Sequence, residues 1–309
     1  MLSIFLCGFR KNRSAQHCLV HMIEKMRKCL DKHGQTGVLL TDLSKAFDCL
    51  DHDLLIAKLS AYGFDHTSLK LIYSYLDGRY QRTQINSNYS SWARLIFGVP
   101  QGSILGPLLF NIYLSDLFIS CKSSSIANFA DDNSPYSCNK DIDSVILQLK
   151  RDSNSLLEWF SINGFKANPE KFHLILSNPD QNLFIEIDGH KILNKKSEKL
   201  LGIKFDSKLN FDIHVSELCS KASQKLHALS RIANYMRIKQ RKNIMKSFIN
   251  SQFGYCPLVW MLHSRNLILA LIKSMKKVFV SSTMTELPRL MNFFLKINLF
   301  LSILEISNF

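Results

Sequence analysis

Phe129-Ala130-Asp131-Asp132 is the stretch that most narrows what this chain can fold into. A short apolar run ends in two adjacent carboxylates, and polar residues follow at once. Neighbouring carboxylates repel each other and are poor core material. A chain that sets them at the end of a strand needs a sheet edge to display them and a cation to hold there. Ile126 to Ala130 and Pro135 to Cys138 flank the pair, which reads as a hairpin with the acids at its bend. A third carboxylate, Asp42, stands at the end of another short apolar run, Val38 to Thr41, after a turn at Gly34 to Gly37. If those strands are neighbours, the acids share one edge.

The rest of the chain supplies helices between short strands. Ser14 is placed to cap a helix running to about Leu30. An amphipathic helix follows Asp51 and ends at Gly63, and Thr67 is placed to cap the next, which stops at Gly78. Tyr80 to Ile85 and Trp92 to Phe97 flank Asn86-Ser87-Asn88, a hairpin signal. Ile104 to Ile119 reads as helix, with Pro107 tolerated near its start. Asp141 opens a long helix ending by Asn163-Gly164. The strand Phe172 to Leu176 and the alternating run Leu183 to Ile187 follow, and Leu200 to Ile203 begins a further strand-like stretch. Phe211 to Leu229 repeats apolar residues at steps of three and four, and a second, basic helix contains Arg237, Lys239, Arg241, Lys242 and Lys246. Irregular alternation with hairpins predicts an α+β fold built on an antiparallel sheet. No Walker loop, dinucleotide fingerprint or nucleophile elbow is present.

The formal net charge of +14 over 309 residues suits a polyanionic partner. Eight scattered cysteines without a Cys-x-x-Cys pair suggest a reduced, intracellular protein. His17 and His21 lie one helical turn apart but have no second ligand pair in sight. Basic residues follow the apolar start instead of preceding it, the wrong order for a secretory signal, and the hydrophobic stretch from Leu290 is interrupted by Lys296 and Glu305, so no membrane span is expected. Hard oxygen ligands at Asp42, Asp131 and Asp132 suit Mg²⁺. Two such ions about 3.5–4 Å apart can activate an attacking hydroxyl and stabilise a leaving pyrophosphate. Taken alone, Asp132 also reads as a turn residue and Asp42 as a helix cap.

Several motifs in order settle that choice. Leu40-Thr41-Asp42-Leu43-Ser44-Lys45-Ala46-Phe47-Asp48 resembles the first catalytic block of reverse transcriptases. Gly98-Val99-Pro100-Gln101-Gly102-Ser103 with Ile104 to Asn111 resembles the second, and Phe129 to Asp132 the third. Gly164-Phe165 with Asn168 to Lys171, then Leu201-Gly202-Ile203, are similar to the next two. The nearest resemblance is to non-LTR retrotransposon polymerases of the jockey-like kind. Gly8-Phe9-Arg10 with Ser14 and Gln16 resembles their fingers segment, and Phe248 to Trp260 their segment after the thumb. The likeness covers roughly residues 8–265.

The resemblance implies a right-hand polymerase that copies RNA, and then DNA, into DNA: partial fingers at 1–37, a palm with inserted fingers elements at 38–205, a helical thumb-like region at 206–265 and a divergent tail at 266–309. Its partners would be an RNA template, a DNA primer and dNTPs. Asp42, Asp131 and Asp132 would hold two Mg²⁺, or Mn²⁺. The main chain at Leu43 would approach the triphosphate, and Phe47 would be a steric gate against the 2′-hydroxyl, although alone it reads as a core phenylalanine. Pro100, Gln101 and Gly102 would line the nucleotide pocket. Lys171 would meet the departing pyrophosphate, or else be a solvated lysine. Leu201, Gly202 and Ile203 would grip the primer, while Arg10, Arg13 and the basic helix from Arg237 would contact nucleic-acid phosphates or remain solvated. The start close to Gly8 gives the expectation of an N-terminal truncation that omits fingers blocks. A catalytically inactive remnant that only binds nucleic acid is therefore the alternative. The sequence carries no signal that separates nucleus from cytoplasm, and the family's chemistry on chromosomal DNA implies the nucleus.

Overall fold

A computed structural model of the chain describes residues 3–178, 180 and 182–260. The tail expected at 266–309 and the stretch from Leu290 lie outside them. The described chain divides into two compact units, one ending at Lys196 and one beginning at Ser197.

In the first unit, α1 (Ala15–Leu30) leads into β1 (Gln35–Leu40) and the two-residue strand β2 (Leu43–Ser44). Helices α2 (His52–Ala61) and α3 (His66–Leu76) follow, then the short paired strands β3 (Tyr80–Gln81), β4 (Gln84–Ile85), β5 (Asn88–Tyr89) and β6 (Ala93–Arg94). After α4 (Leu105–Tyr113) come β7 (Ser125–Phe129), β8 (Asp132–Asn139), α5 (Ile142–Ile162), β9 (Lys166–Ala167), β10 (His173–Leu176), β11 (Phe184–Ile187) and β12 (His190–Leu193). The principal sheet has the order β10-β1-β8-β7, antiparallel throughout, which bears out the α+β expectation.

Successive residues of β1 face opposite ways. Gly37 lies under α5, where a Cβ would stand 2.8 Å from Val145 and 2.9 Å from Leu149. Tyr136, directly across from Val38, meets α1 instead, with the Lys25 ammonium 5.5 Å from its ring centre. One helix therefore covers each face of the sheet. Leu39, Val145, Leu149, Leu174 and Leu176 form one apolar cluster, and Leu50, Leu109, Phe110, Tyr113 and Phe160 belong to a second beneath the loops after β1 and before α4.

Several local expectations shift. The strand runs back to Gln35, through the turn expected at Gly34 to Gly37, because Gly37 lets α5 pack onto it. Asp65, not Thr67, caps α3, its carboxylate accepting from the N–H groups of Thr67 and Ser68. The helix expected over Ile104 to Ile119 ends at Tyr113 and gives way to a 3-10 turn at Leu117–Ile119. The long helix is capped as expected, with Asp141 accepting from Ser144 N–H at 2.7 Å.

In the second unit, β13 (Ser197–Leu200) and β14 (Ile203–Asp206) form a hairpin ahead of α6 (Asp212–Ile232) and α7 (Ile238–Ile244). Leu201 and Gly202 are its turn, with φ of +47° and +82°, so the stretch expected as continuous strand is a bend. Positive φ at two consecutive residues matches the right-handed twist of the strands, and glycine supplies the second at no steric cost.

Buried His214 on α6 accepts from Lys204 N–H through Nδ1 at 3.4 Å. Burial holds its pKa below the usual 6.5. The unfolded chain thus binds the proton more readily, so His214 subtracts stability as pH falls below 6.5. Thermal unfolding followed from pH 7.5 to 5 should show a falling midpoint, and His214→Asn should flatten that slope. An unchanged slope would remove His214 from the effect.

Candidate active site

The carboxylate edge is assembled by backbone and amide contacts. Where β1 ends, Thr41 N–H donates to the carbonyl of Asn133 at 3.3 Å, and the Thr41 hydroxyl donates to the same oxygen. Asn133 is the second residue of β8, immediately after Asp132. Asp42 is thereby tied beside the β7–β8 turn. That turn consists of Ala130 and Asp131, since Phe129 pairs with Asp132. Ala130 adopts a left-handed φ of +57°. Two buried amides hold this bend: Asn128 Nδ2 donates to Ala130 O (2.9 Å) and to Asn133 Oδ1 (2.8 Å), and Asn133 Nδ2 donates to Asp131 O (3.0 Å). Neither amide residue is solvent-exposed. From outside, Gly8 abuts the bend so closely that a Cβ there would stand 2.5 Å from Ala130 N.

Asp132 is exposed, yet protein atoms crowd its inner side. That burial, then the charges of Asp131 and Asp42, push its carboxyl up to about 6. The three acids therefore share one electrostatic environment whose repulsion a cation would relieve. Lys171 Nζ lies 3.4 Å from Asp42 Oδ2 and supplies one positive charge. The donor chemistry, three carboxylates at a solvent-open edge, fits a hard divalent cation. Among the described residues no three His, Cys, Asp or Glu side chains converge at metal-holding distance. Lys171 is set by the 3-10 turn Pro169–Lys171, and Asn168 N–H, just before it, donates to Asp42 O at 3.3 Å.

The loop from Gly98 to Gly102 is sewn to the segment after Asp42. Gly98 N–H donates to Leu50 O (2.7 Å), Val99 N–H to Phe47 O (3.1 Å), and Gln101 Nε2 to Asp48 Oδ1 (2.9 Å). Gly98 has φ +83° and touches Asp48, where a Cβ would come within 2.9 Å of Asp48 Cα. Gly102 has the same φ but faces open space, so its requirement is conformational. Pro100 closes this loop through its carbonyl, which accepts from Ser103 N–H. Phe47 is half-buried and stacks on Phe110 with ring centres 4.0 Å apart, while Phe9 meets it edge-on at 5.7 Å. Leu43 is buried and pairs with Ala167.

The structure thus sets Lys171 against Asp42 and puts Asp42 and Asp131 within electrostatic reach of Asp132, short of metal-holding convergence, and it ties Phe47 to the start of the Gly98–Gly102 loop through Val99. Leu201, Gly202 and Ile203 belong to the second unit, where Tyr255 OH donates to Leu201 O at 2.7 Å. Arg10 donates to the carbonyls of Ser3 (2.7 Å) and Leu6 (3.3 Å), bracing its own loop. Exposed Arg13 lines a cavity beside α1. Asn128 and Asn133 belong to no motif in the sequence, and Asp48 and Gly8 enter there only as members of longer motifs. Asparagines on both sides of an apolar run ending in acids were the available signal for the first two. No described helix is long and apolar enough to cross a membrane.

A sequence model described as "Reverse transcriptase (RNA-dependent DNA polymerase)" matches residues 2–212. The chain is 26% identical over 239 residues to the probable RNA-directed DNA polymerase from transposon BS of Drosophila melanogaster, covering 74% of this chain and 26% of that protein. It is 24% identical over 257 residues to the RNA-directed DNA polymerase from mobile element jockey of the same species, covering 79% and 28%. The corresponding X-element protein is 27% identical over 265 residues, covering 82% and 29%. The chain thus spans between a quarter and a third of the length of these relatives. Among solved structures, apo telomerase from Candida tropicalis overlays with a TM-score of 0.48 at 13% identity, covering 94% of this chain and 55% of that one.

Proposed function

The chain belongs to the reverse transcriptase family, and on that premise we propose that it extends a DNA primer along an RNA template, adding deoxynucleotides to the primer 3′-hydroxyl. The observation that carries the reading is the tie between Thr41 and Asn133, which sets Asp42 beside the Asp131-Asp132 bend, where Asp132 senses both other charges. Asp42, Asp131 and Asp132 would hold two Mg²⁺, with Mn²⁺ as a substitute. A divalent cation held there would supply activation of the 3′-hydroxyl and charge neutralisation at the pyrophosphate.

The chain's own residues do the remainder. Lys171, beside Asp42, would meet the departing pyrophosphate and can donate a proton there. Asp48 holds the Gln101 amide so that the Pro100-Gln101-Gly102 loop keeps one shape against the nucleotide. The main chain at Leu43 approaches the triphosphate. Phe47, fixed by its stack on Phe110, lies under the sugar and leaves no room for a 2′-hydroxyl. Leu201, Gly202 and Ile203 grip the primer backbone, and Arg13 and Arg10 face template phosphates. Action on chromosomal DNA, as the family resemblance implies, would place the chain in the nucleus.

Primer extension on an RNA template with Mg²⁺ tests this reading, with dNTPs and rNTPs offered separately. The wild-type chain should extend with dNTPs. Phe47→Val should raise ribonucleotide use relative to dNTP use by about tenfold, on the order of 1.4 kcal/mol of lost discrimination. An unaltered ratio takes Phe47 out of the gate role. Binding of RNA–DNA duplex without any extension refutes the polymerase.

A further inference from the structure

A strap of residues 3–8 lies against the hairpin that carries the acids. Leu6 forms a parallel bridge with Asn128, and Gly8 presses on Ala130 while its carbonyl accepts from Asn111 Nδ2 at 2.9 Å. Between this strap, α1 and β7 is a cavity of about 170 Å³, lined by Cys7, Cys18, Arg13, His17, His21 and Asn128 among others. Cys7 comes from the strap and Cys18 from α1. Both line the cavity while only 7% and 5% exposed, and Cys18 is the neighbour that most strongly lowers the Cys7 pKa.

We propose that Cys7 and Cys18 form an oxidative modification site, a dithiol that hydrogen peroxide entering this cavity converts to a disulfide. The cavity has room for a molecule of that size. Its wall carries the Arg13 guanidinium, and a thiolate, not a thiol, is the nucleophile. The Cys18 hydrogen bond, then the charges of Arg13 and Arg10, outweigh burial and draw Cys7 down to about 7. The Cys7 thiolate attacks one peroxide oxygen, breaks the O–O bond and becomes a sulfenic acid, releasing hydroxide. Cys18 sulfur then attacks the Cys7 sulfur, the S–S bond forms, and water leaves after proton transfer. The two thiols lose two electrons in total, and the peroxide gains them to become two waters. A covalent S–S bond is shorter than any non-bonded sulfur contact, so closure draws Cys7 toward α1. Gly8, next in the chain, has no slack against Ala130, so the pull passes to the bend that holds Asp131.

A second thiol pair provides an internal control. Cys29 and Cys138 also neighbour each other, but their thiols donate to the carbonyls of Gln35 and Lys25, they do not line this cavity, and burial pushes Cys138 up to about 12. Graded hydrogen peroxide followed by alkylation and peptide mass spectrometry without reduction tests the proposal. A Cys7–Cys18 cross-link, two hydrogens lighter, should form at a peroxide dose at least tenfold below that which oxidises Cys29 or Cys138. Its absence, or equal reactivity of the two pairs, overturns the site. This mass readout stands even if the polymerase reading fails. Resting on that reading, primer extension should fall at least fivefold with cross-linking, recover with dithiothreitol, and resist the same dose in Cys18→Ser. A cross-linked chain with full activity overturns the coupling to the bend.

Discussion

Asp131→Asn should reduce primer extension at least about 10³-fold, roughly 4 kcal/mol of transition-state stabilisation, while leaving the fold in place. The substitution is nearly isosteric. The backbone carbonyl of residue 131, which accepts from Asn133 Nδ2, is untouched, so the bend keeps its clamp. What is lost is one negative charge at the edge shared with Asp42 and Asp132. In the metal-free chain that loss relieves a repulsion, because the Asp131 charge helps hold Asp132 up near 6. The thermal midpoint should therefore stay level or rise even as activity disappears. Loss of activity together with a lowered midpoint would indicate a damaged fold. Activity within tenfold of wild type would take Asp131 out of the chemistry.

Asp152→Ala should be the most damaging single change away from that edge, costing about 3–5 kcal/mol. Asp152 lies midway along α5 and is only 1% exposed. Its carboxylate accepts from the backbone N–H groups of Lys122 (3.3 Å), Ser123 (2.8 Å) and Ser124. These residues lead directly into β7, so one buried charge fixes the approach of the strand that ends at the Asp131 bend. Alanine leaves those donors without the carboxylate. For a chain of this size the unfolding midpoint should drop by about 10 °C. A shift below about 2 °C would mean that the loop holds its shape without the carboxylate.

The features readable in the sequence were those set by local chemistry. Asp141 as a cap, the apolar stripe of α5 and the hairpin around Asp131 follow from residue type and spacing alone. Tertiary contacts decided the others. Gly37 looked like a turn glycine, but its missing side chain admits α5 against β1. Thr67 and Asp65 were both competent caps, and the longer reach of the carboxylate to two N–H groups at Asp65 settled the choice. Leu201 gave no local sign of a positive φ, because leucine rarely adopts one outside a tight hairpin. At the site, the acids were legible as an awkward charge pair. The parts that hold them were not: Asn128 and Asn133 become recognisable only when their amides are seen to close the bend, and Asp48 only when Gln101 is seen to reach it.

The proposed chemistry requires Asp42 and the Asp131-Asp132 bend to close on one cation. Its most direct test replaces Mg²⁺ with Fe²⁺ and adds ascorbate and peroxide, so that radicals formed at the bound ion cut nearby backbone. Cuts are expected in two separate segments, residues 40–44 and 129–133. Both should be suppressed by excess Mg²⁺ and both lost in Asp42→Asn. Cutting confined to one segment, or cutting at 129–133 that persists in Asp42→Asn, would contradict it.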